Sequence, residues 1–130
     1  RLAKDRSELS VVSDQIGSPT WAKDIADAIT ELGEKLHENA EQTTGTYHFT
    51  SSGTASWHEF AEAIFEEAKV LGASLAVETV HPITTAEYPT PAERPSYSVL
   101  NNQKLAEHLG HTAPHWRVSL QQMLRQHLSN

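Results

Sequence analysis

Apolar side chains recur at helical spacing over the middle of the chain, between Ser56 and Gly72. The apolar positions there are Trp57, Phe60, Ala61, Ile64, Phe65, Ala68 and Leu71. This spacing places them on one face of an α-helix. Ser56 and Glu59 have the spacing of a capping box, in which each side chain accepts a hydrogen bond from the other residue's backbone N–H. Gly72 is suited to end the helix.

A second helical pattern follows the turn made by residues 17–20. Its apolar positions are Trp21, Ile25, Ala28, Ile29, Leu32 and Leu36. We therefore expect one face of this helix to pack against the rest of the domain. Ser18 is a favourable N-cap, and Pro19 suits the first helical position. Further helices are predicted over residues 1–7, from Asn101 or Asn102 to Leu109, and from Trp116 to Leu128 after the break at Pro114.

Three short runs predict strands, namely Leu9–Val12, Tyr47–Phe49 and Ala76–Val80. Residues 38–46 are polar and predict a loop. The segment from His81 to Ser98 contains several prolines and predicts a long loop, which in a small domain is usually functional or lies over another domain. The alternation of strands and helices predicts an α/β fold in a single domain over residues 1–130.

The ends of the pattern raise the question of what lies outside this chain. The strand at Leu9–Val12 has no evident parallel neighbour in the sequence, so we expect an exposed edge and an apolar patch. Residues 1–4 resemble the tail of a helix with no initiating Met and no cap. We therefore expect the chain to begin within a longer protein, with a missing domain on the patch. Such a patch also predicts self-association, as a homodimer or with an exchanged element.

Charge and composition narrow the range of partners. The formal net charge is −7, and an acidic chain repels phosphate backbones and anionic lipid, so no nucleic acid or membrane partner is expected. No apolar run approaches the roughly 20 residues of a membrane span, and no signal peptide is visible. The sequence has no cysteine, which excludes disulfides and thiolate metal sites and allows a cytoplasmic location.

Several catalytic patterns are missing. Glu62 stands where the zinc-protease motif His-Glu-x-x-His, begun at His58, needs its second histidine. The histidines at positions 108, 111 and 115 are separated by a glycine and a proline, so no metal site is predicted. The sequence has no nucleophile elbow, P-loop or dinucleotide fingerprint, and no tyrosine has a lysine four residues on. No catalytic or cofactor-binding residue is assigned.

Two features remain as candidate binding residues. The segment Asp14 to Thr20 joins a strand end to a helix N-terminus, where free N–H groups and the helix dipole favour an anion or a polar ligand. The alternative for this segment is an ordinary helix cap. Arg94 stands in the proline-rich loop, and its guanidinium suits paired contact with a phosphate, or is simply solvated. The tryptophans at positions 21, 57 and 116 are expected in the core.

Four segments of the sequence resemble, in order, segments of the dTDP-4-dehydrorhamnose reductases. Residues 11–20 are similar to that family's Asp-Gln-x-Gly-x-Pro-Thr segment, and Asp24-Ile25-Ala26 follows at the family's spacing. Residues 47–53 and 56–61 resemble its Tyr-His-x-x-Gly and Ser-Trp-x-Glu-Phe-Ala stretches. Residues 82–100 resemble its late loop, and residues 116–120 resemble its closing helix. The resemblance covers most of the chain.

This resemblance implies the C-terminal substrate-binding portion of an extended short-chain dehydrogenase/reductase, with the Rossmann cofactor part absent. The whole bacterial enzyme would reduce dTDP-4-dehydro-L-rhamnose to dTDP-L-rhamnose with NADPH or NADH. Its partners would be the dTDP-sugar substrate and, for this chain, the missing N-terminal Rossmann domain. The chain alone would bind no cofactor and have no activity. The implied substrate-binding residues are Gln15, Gly17, Ser18, Pro19, Thr20 and Arg94.

Two alternatives remain open at this point. One is a non-catalytic homologue on the same scaffold, similar to the regulatory subunit of methionine adenosyltransferase. The other is a free-standing interaction module.

Overall fold

A computed structural model describes residues 2–128 as an α/β arrangement, which confirms the predicted fold class. The helices are α1 (Leu2–Asp5), α2 (Ala22–Glu38), α3 (Ala40–Thr43), α4 (Trp57–Val70), α5 (Gln103–Leu109) and α6 (Trp116–Leu128). The strands are β1 (Glu8–Val12), β2 (Ile16–Gly17), β3 (Ala55–Ser56) and β4 (Thr79–Ile83), and a 3₁₀ turn covers Thr85–Glu87. None of the helices within residues 2–128 has the length and apolar character needed to span a bilayer.

Strand β1 pairs in parallel with β4, with Leu9 opposite Val80 and Val12 opposite Ile83. The expectation that β1 lacks a parallel neighbour is therefore wrong. The predicted strand at Ala76–Val80 lies three residues later, because the backbone N–H groups of Ala76 and Val77 donate to the carbonyl of Ala3 at 2.8 and 3.0 Å. These bonds attach the segment to α1 before the ladder begins.

The core lies where α4 packs against α6. Its buried members are Ala55, Ala63, Trp116, Leu120 and Leu124, with Phe60, Ile64 and Met123 packed against them. The Phe60 and Trp116 rings meet edge to face, with centroids 5.8 Å apart. The predicted capping box of α4 is confirmed, since Ser56 and Glu59 exchange side-chain to backbone hydrogen bonds of 2.7 and 3.1 Å. The predicted stop is also confirmed, with Gly72 at φ +83°.

Helix α2 begins later than predicted. Its N-cap is Trp21, in extended conformation, and Ser18 and Pro19 lie outside the helix. Ser18 and Thr20 are used elsewhere, which explains the difference: the Ser18 hydroxyl donates to the Gly53 carbonyl at 2.9 Å, and the Thr20 hydroxyl accepts from the Ser51 N–H at 3.1 Å. Ser18, which was expected to cap the helix, instead joins it with Thr20 to the chain before α4.

The apolar face of α2 packs only in part: Ala28 is buried and Leu32 is half-buried, whereas three other members of the face are exposed. Ile25, Ile29 and Leu36 are 38%, 66% and 45% exposed. Within residues 2–128 the principal neighbour of α2 is α3. Helix α3 lies in the predicted loop of residues 38–46, where the Thr43 and Thr44 N–H groups donate to the Asn39 and Ala40 carbonyls at 3.2 and 3.0 Å.

The segment Tyr47–Phe49 is not a strand, since it belongs to no ladder among the described strands. The residues after it are held by side chains: Asn102 accepts from the Thr50 N–H at 3.2 Å and donates to the Thr50 carbonyl at 2.6 Å. The helix predicted to start at Asn101 or Asn102 is confirmed as α5, and the Asn101 side chain accepts from the N–H of Gln103. The predicted loop from His81 is shortened at its start by β4 and the 3₁₀ turn.

Candidate functional site

The six residues predicted to bind substrate line one groove of about 540 Å³. Its walls are residues 15–20, the start of α4 and residues 94–98. These three stretches are far apart in the sequence, and the fold brings them together. The residues are Gln15, Gly17, Ser18, Pro19, Thr20 and Arg94.

Ile16 lies at the centre of this arrangement and pairs on both sides. On one side β2 is antiparallel to β3, with Ile16 opposite Ser56. On the other side Ile16 forms a parallel bridge with Tyr97, in which its N–H donates to the Ser96 carbonyl at 2.8 Å and its carbonyl accepts from the Ser98 N–H at 2.9 Å. Backbone hydrogen bonds thus fix the groove walls relative to one another.

Gly17 lies close to the loop that carries Arg94. A Cβ atom at Gly17 would lie 3.1 Å from the Ser98 hydroxyl oxygen, which itself donates to the Ile16 carbonyl at 3.2 Å. A side chain at position 17 would therefore press on the loop that carries Arg94.

Gln15 is held at the edge of the groove by the 3₁₀ turn. Its side-chain amide donates to the Thr85 hydroxyl at 3.0 Å. Thr85 in turn donates to the Asp14 carboxylate from its hydroxyl at 2.6 Å and from its N–H at 2.9 Å, and these bonds lower the pKa of Asp14. Within residues 2–128 the amide oxygen of Gln15 has no hydrogen-bond partner, so it can accept from a ligand hydroxyl.

Arg94 is exposed and is the only charged side chain that lines the groove among the described residues. It forms no ion pair or hydrogen bond within residues 2–128. Arg117, by contrast, is bound to Glu66 and Glu67. Arg94 therefore gives the groove a positive charge that no internal partner neutralises.

A larger cavity of about 690 Å³, lined largely by α4 residues, has the opposite character. Its lining includes four carboxylates, those of Glu59, Glu62, Glu66 and Glu78. Its cations are engaged, since Lys69 donates to the Val77 carbonyl at 2.9 Å and Arg117 is paired. An anionic ligand is therefore better accommodated in the groove with Arg94.

Trp57 is a groove residue that the sequence analysis placed elsewhere. Trp57 was expected in the core but is 59% exposed and lines the groove, whereas Trp116 is 8% exposed and belongs to the core. The signal was present in its position, since Trp57 directly follows the N-cap Ser56. A side chain there lies at the end of the helix rather than along its packed face.

The histidines have separate partners. His58 contacts the Val80 carbonyl at 3.0 Å, and His111 contacts Glu31 at 2.9 Å. In the part of the chain that the structure describes, no group of three histidine or acidic side chains could hold a metal ion.

Residues 1–129 match the family model described as the RmlD substrate binding domain. The chain belongs to this family. The resemblance inferred from four sequence segments is thereby confirmed. In this RmlD substrate-binding domain, the groove combines the Asp-Gln-x-Gly-x-Pro-Thr segment with the late loop, which the resemblance had associated with substrate.

Relatives of this RmlD substrate-binding domain carry one recurring name. A dTDP-4-dehydrorhamnose reductase from Burkholderia thailandensis is 45% identical over 99% of the chain. The crystal structure of a dTDP-4-dehydrorhamnose reductase from Bacillus anthracis in complex with NADP is 36% identical, with a TM-score of 0.79 over 97% of the chain. The corresponding structure from Clostridium acetobutylicum gives the same identity and TM-score over 96% of the chain.

The chain spans less than half of each of these relatives. It covers 45% of the Burkholderia protein and 41% of the Bacillus anthracis chain. The match therefore concerns the substrate-binding domain, and more than half of each longer relative has no counterpart in this chain.

Proposed function

We propose that this chain is the sugar-nucleotide-binding part of an NAD(P)H-dependent cytoplasmic reductase that converts dTDP-4-dehydro-L-rhamnose to dTDP-L-rhamnose. The observation that carries the proposal is the groove. In a member of the RmlD substrate-binding domain family, one groove brings together residues 15–20 and an unpaired Arg94.

The polar groups of the groove suit a sugar diphosphate. The planar guanidinium of Arg94 can donate two parallel hydrogen bonds to phosphate oxygens. The amide oxygen of Gln15 can accept from a hydroxyl of the ligand. Ser18 and Thr20 donate their hydroxyl hydrogens to backbone carbonyls. We therefore propose that they shape the wall of the groove and do not donate hydrogen bonds to the ligand.

The groove does not provide the chemistry of the reduction. Reduction of a ketone needs a hydride donor and an aligned proton donor. The described lining of the groove contains no tyrosine, lysine, histidine or carboxylic acid, and the sequence has neither a dinucleotide fingerprint nor a Tyr-x-x-x-Lys pair. These residues do not suit a nicotinamide cofactor, so we assign hydride and proton transfer to a Rossmann domain in the rest of a longer polypeptide. The 130-residue chain alone should not oxidise NADPH in the presence of the keto sugar.

The exposed face of helix α2 supports the presence of a second domain that carries out the reduction. Its exposed apolar residues Ile25, Ile29 and Leu36 form a stripe. Fully burying an exposed side chain of this size is favourable by about 1.5–3 kcal/mol, and these part-exposed residues would each gain a fraction of that. Tyr47 begins the unpaired extended segment and is joined to α3, the neighbour of α2, by a 2.8 Å hydrogen bond to the Thr43 carbonyl. We assign this surface to contact with the Rossmann domain, and a homodimer through the same stripe is the competing arrangement.

The test is calorimetric titration of the chain with dTDP-rhamnose. Arg94→Ala should weaken binding about ten- to a hundredfold, the loss expected for one charge-assisted contact, without a change in melting temperature. Arg94→Lys should restore part of the affinity, because an ammonium cannot form the paired contact. Arg6→Ala is the matched control, since Arg6 is exposed and does not line the groove. Equal affinity for all four proteins, or no binding by the unsubstituted chain, would contradict the proposal.

A further inference from the structure

We propose that Asp14 and Thr85 are positioning residues that turn the amide oxygen of Gln15 towards the groove, so that this end of the groove binds an uncharged hydrogen-bond donor of the ligand. This inference rests on the proposed function and adds what the ligand must carry beside Gln15. It starts from three hydrogen-bonded side chains, those of Asp14, Thr85 and Gln15, which we call the polar triad.

The parallel pairing of β1 with β4 brings the members of the polar triad together. The ladder ends at Ile83, whose carbonyl accepts from the Ser13 N–H at 2.8 Å. The two segments then leave the sheet side by side, one through Asp14 and Gln15 and the other through the 3₁₀ turn that begins at Thr85. The sheet therefore fixes the contact between Gln15 and Thr85, although 70 residues separate them.

The direction of each hydrogen bond in the polar triad follows from the chemistry of its members. An ionised carboxylate only accepts, and that of Asp14 accepts from the Thr85 hydroxyl at 2.6 Å and from the Thr85 N–H at 2.9 Å. These bonds lower the pKa of Asp14, which keeps it ionised at neutral pH. A hydroxyl has one hydrogen, so Thr85 is left as an acceptor towards Gln15. The Gln15 amide therefore turns its NH₂ group to Thr85, at 3.0 Å, and its oxygen faces away from Thr85.

The amide oxygen that the polar triad orients has no internal hydrogen-bond partner within residues 2–128. Gln15 lines the groove, whereas Asp14 and Thr85 do not, so these two residues influence a ligand through the amide. An amide oxygen accepts from a hydroxyl or an N–H but cannot bond to a phosphate or carbonyl oxygen, which has no hydrogen to donate. The groove thus has a donor at Arg94 for the phosphates and an acceptor at Gln15 for an uncharged part of the sugar nucleotide.

Calorimetric titration of the chain with dTDP-rhamnose tests the contact. Thr85→Val removes the hydroxyl at nearly constant volume and should weaken binding about two- to tenfold, the range for one uncharged hydrogen bond. Gln15→Met removes the acceptor and should weaken binding at least as much. Neither Thr85→Val nor Asp14→Asn should have a further effect in the Gln15→Met background, because both act through the amide. Thr85→Ser, which restores the hydroxyl, should bind like the unsubstituted chain.

Thr84→Val is the matched control. Thr84 precedes Thr85 in the same turn, but its hydroxyl contacts Glu87 and not Gln15. This substitution should leave the affinity unchanged.

A nuclear magnetic resonance measurement tests the polar triad without a ligand. The side-chain NH₂ resonances of Gln15 are identified by their loss in Gln15→Met. In Thr85→Val they should move towards the positions of a solvent-exposed glutamine, and in Thr84→Val they should stay in place. Unchanged resonances in Thr85→Val would overturn the polar triad.

The possible results separate this inference from the proposed function. If Arg94→Ala weakens dTDP-rhamnose while Gln15→Met and Thr85→Val do not, the positioning role is overturned and the proposed function stands. If Thr85→Val weakens binding equally with and without Gln15, Thr85 acts through another contact and the inference is wrong. A loss by Thr85→Val for dTDP-rhamnose but not for dTDP supports the inference with the donor on the rhamnose, and an equal loss for both supports it with the donor on the nucleotide. If the unsubstituted chain does not bind dTDP-rhamnose, the proposed function is overturned together with the ligand contact at Gln15.

Discussion

Gly53 lies where the groove wall meets the start of α6, and its replacement by alanine should be costly for two separable reasons. Its φ is +79°, a left-handed conformation that costs an L-residue about 1–2 kcal/mol. A Cβ atom there would also lie 2.3 Å from Nε2 of His115 and 3.1 Å from Cδ1 of Trp116. His115 is exposed, and moving its ring aside would break the hydrogen bond that its Nδ1 accepts from the N–H of Arg117 at 3.2 Å.

Trp116 is buried, so crowding its ring and losing the His115 hydrogen bond together should cost about 1–3 kcal/mol. Gly53→Ala should therefore lower the free energy of unfolding by about 2–5 kcal/mol, the sum of the conformational and steric costs. Domains are stable by only about 5–15 kcal/mol in total, so this is a large fraction. Equilibrium urea unfolding measures it as a fall in the transition midpoint at unchanged slope.

Gly72→Ala is the matched control. Gly72 has nearly the same φ, +83°, but a Cβ atom there would meet nothing within 4 Å, so only the conformational cost of about 1–2 kcal/mol applies. The double variant Gly53→Ala/His115→Ala should recover part of the difference, because one of the two obstacles is removed. Equal destabilisation by Gly53→Ala and Gly72→Ala would refute the steric argument.

Three further predictions concern the stability contributed by the cap of α4, by the loop before α6 and by the exposed face of α2. Ser56→Ala should lower the free energy of unfolding by about 1 kcal/mol. The hydrogen bond from the Ser56 N–H lowers the pKa of Glu59 from 4.5, so the stability that the Glu59 carboxylate contributes is present above pH 4.5 and is lost as pH falls through the folded pKa. Urea unfolding of Glu59→Gln with an unaltered dependence on acid pH would contradict this. The hydrogen bond to Glu31 raises the pKa of His111 from 6.5, so the stability that protonated His111 contributes is present below pH 6.5 and is lost as pH rises through the folded pKa. His111→Gln should remove this pH dependence from the free energy of unfolding measured across neutral pH, and a profile parallel to that of the unsubstituted chain would count against it. Ile29→Gln should reduce dye binding and any concentration-dependent association seen by sedimentation without lowering the melting temperature, because the side chain is 66% exposed; a clear loss of stability would show that Ile29 is packed.

Local sequence signals predicted the helices whose ends are set by neighbouring residues. The capping box at Ser56 and Glu59 and the left-handed glycine at Gly72 act within a few residues of the helix they delimit. Their effect is therefore visible in the sequence. Asn101 before α5 is a similar case.

The errors arose where a local signal competed with a distant partner. Ser18 has the chemistry of an N-cap, but its hydroxyl donates to Gly53 instead. The apolar spacing of α2 correctly gave a helix, yet periodicity shows only that a face is apolar and not what covers it. Trp57 was assigned to the core from its residue type, although its position at the first turn of α4 exposes it.

The candidate binding residues were selected by resemblance more than by physical pattern. A turn and a lone arginine have ordinary alternatives, and nothing local indicated that residues 15–20 and Arg94 line the same groove. That proximity depends on the pairing of Ile16 with Ser56 and Tyr97, which joins segments that no short window of sequence includes.

The pairing of Ile16 on both sides has a consequence for how the groove can be regulated or lost. Each wall comes from a different part of the chain, and the short β2 segment is hydrogen-bonded to both of the others. A partly unfolded molecule that releases either neighbour has no groove, so occupancy and folding are thermodynamically linked. A ligand that binds only the paired arrangement raises the free energy of unfolding by RT ln(1 + [L]/Kd), which is about 2.7 kcal/mol at a hundredfold excess over Kd. A ligand bound in the groove would therefore stabilise the contact between the first and last thirds of the chain.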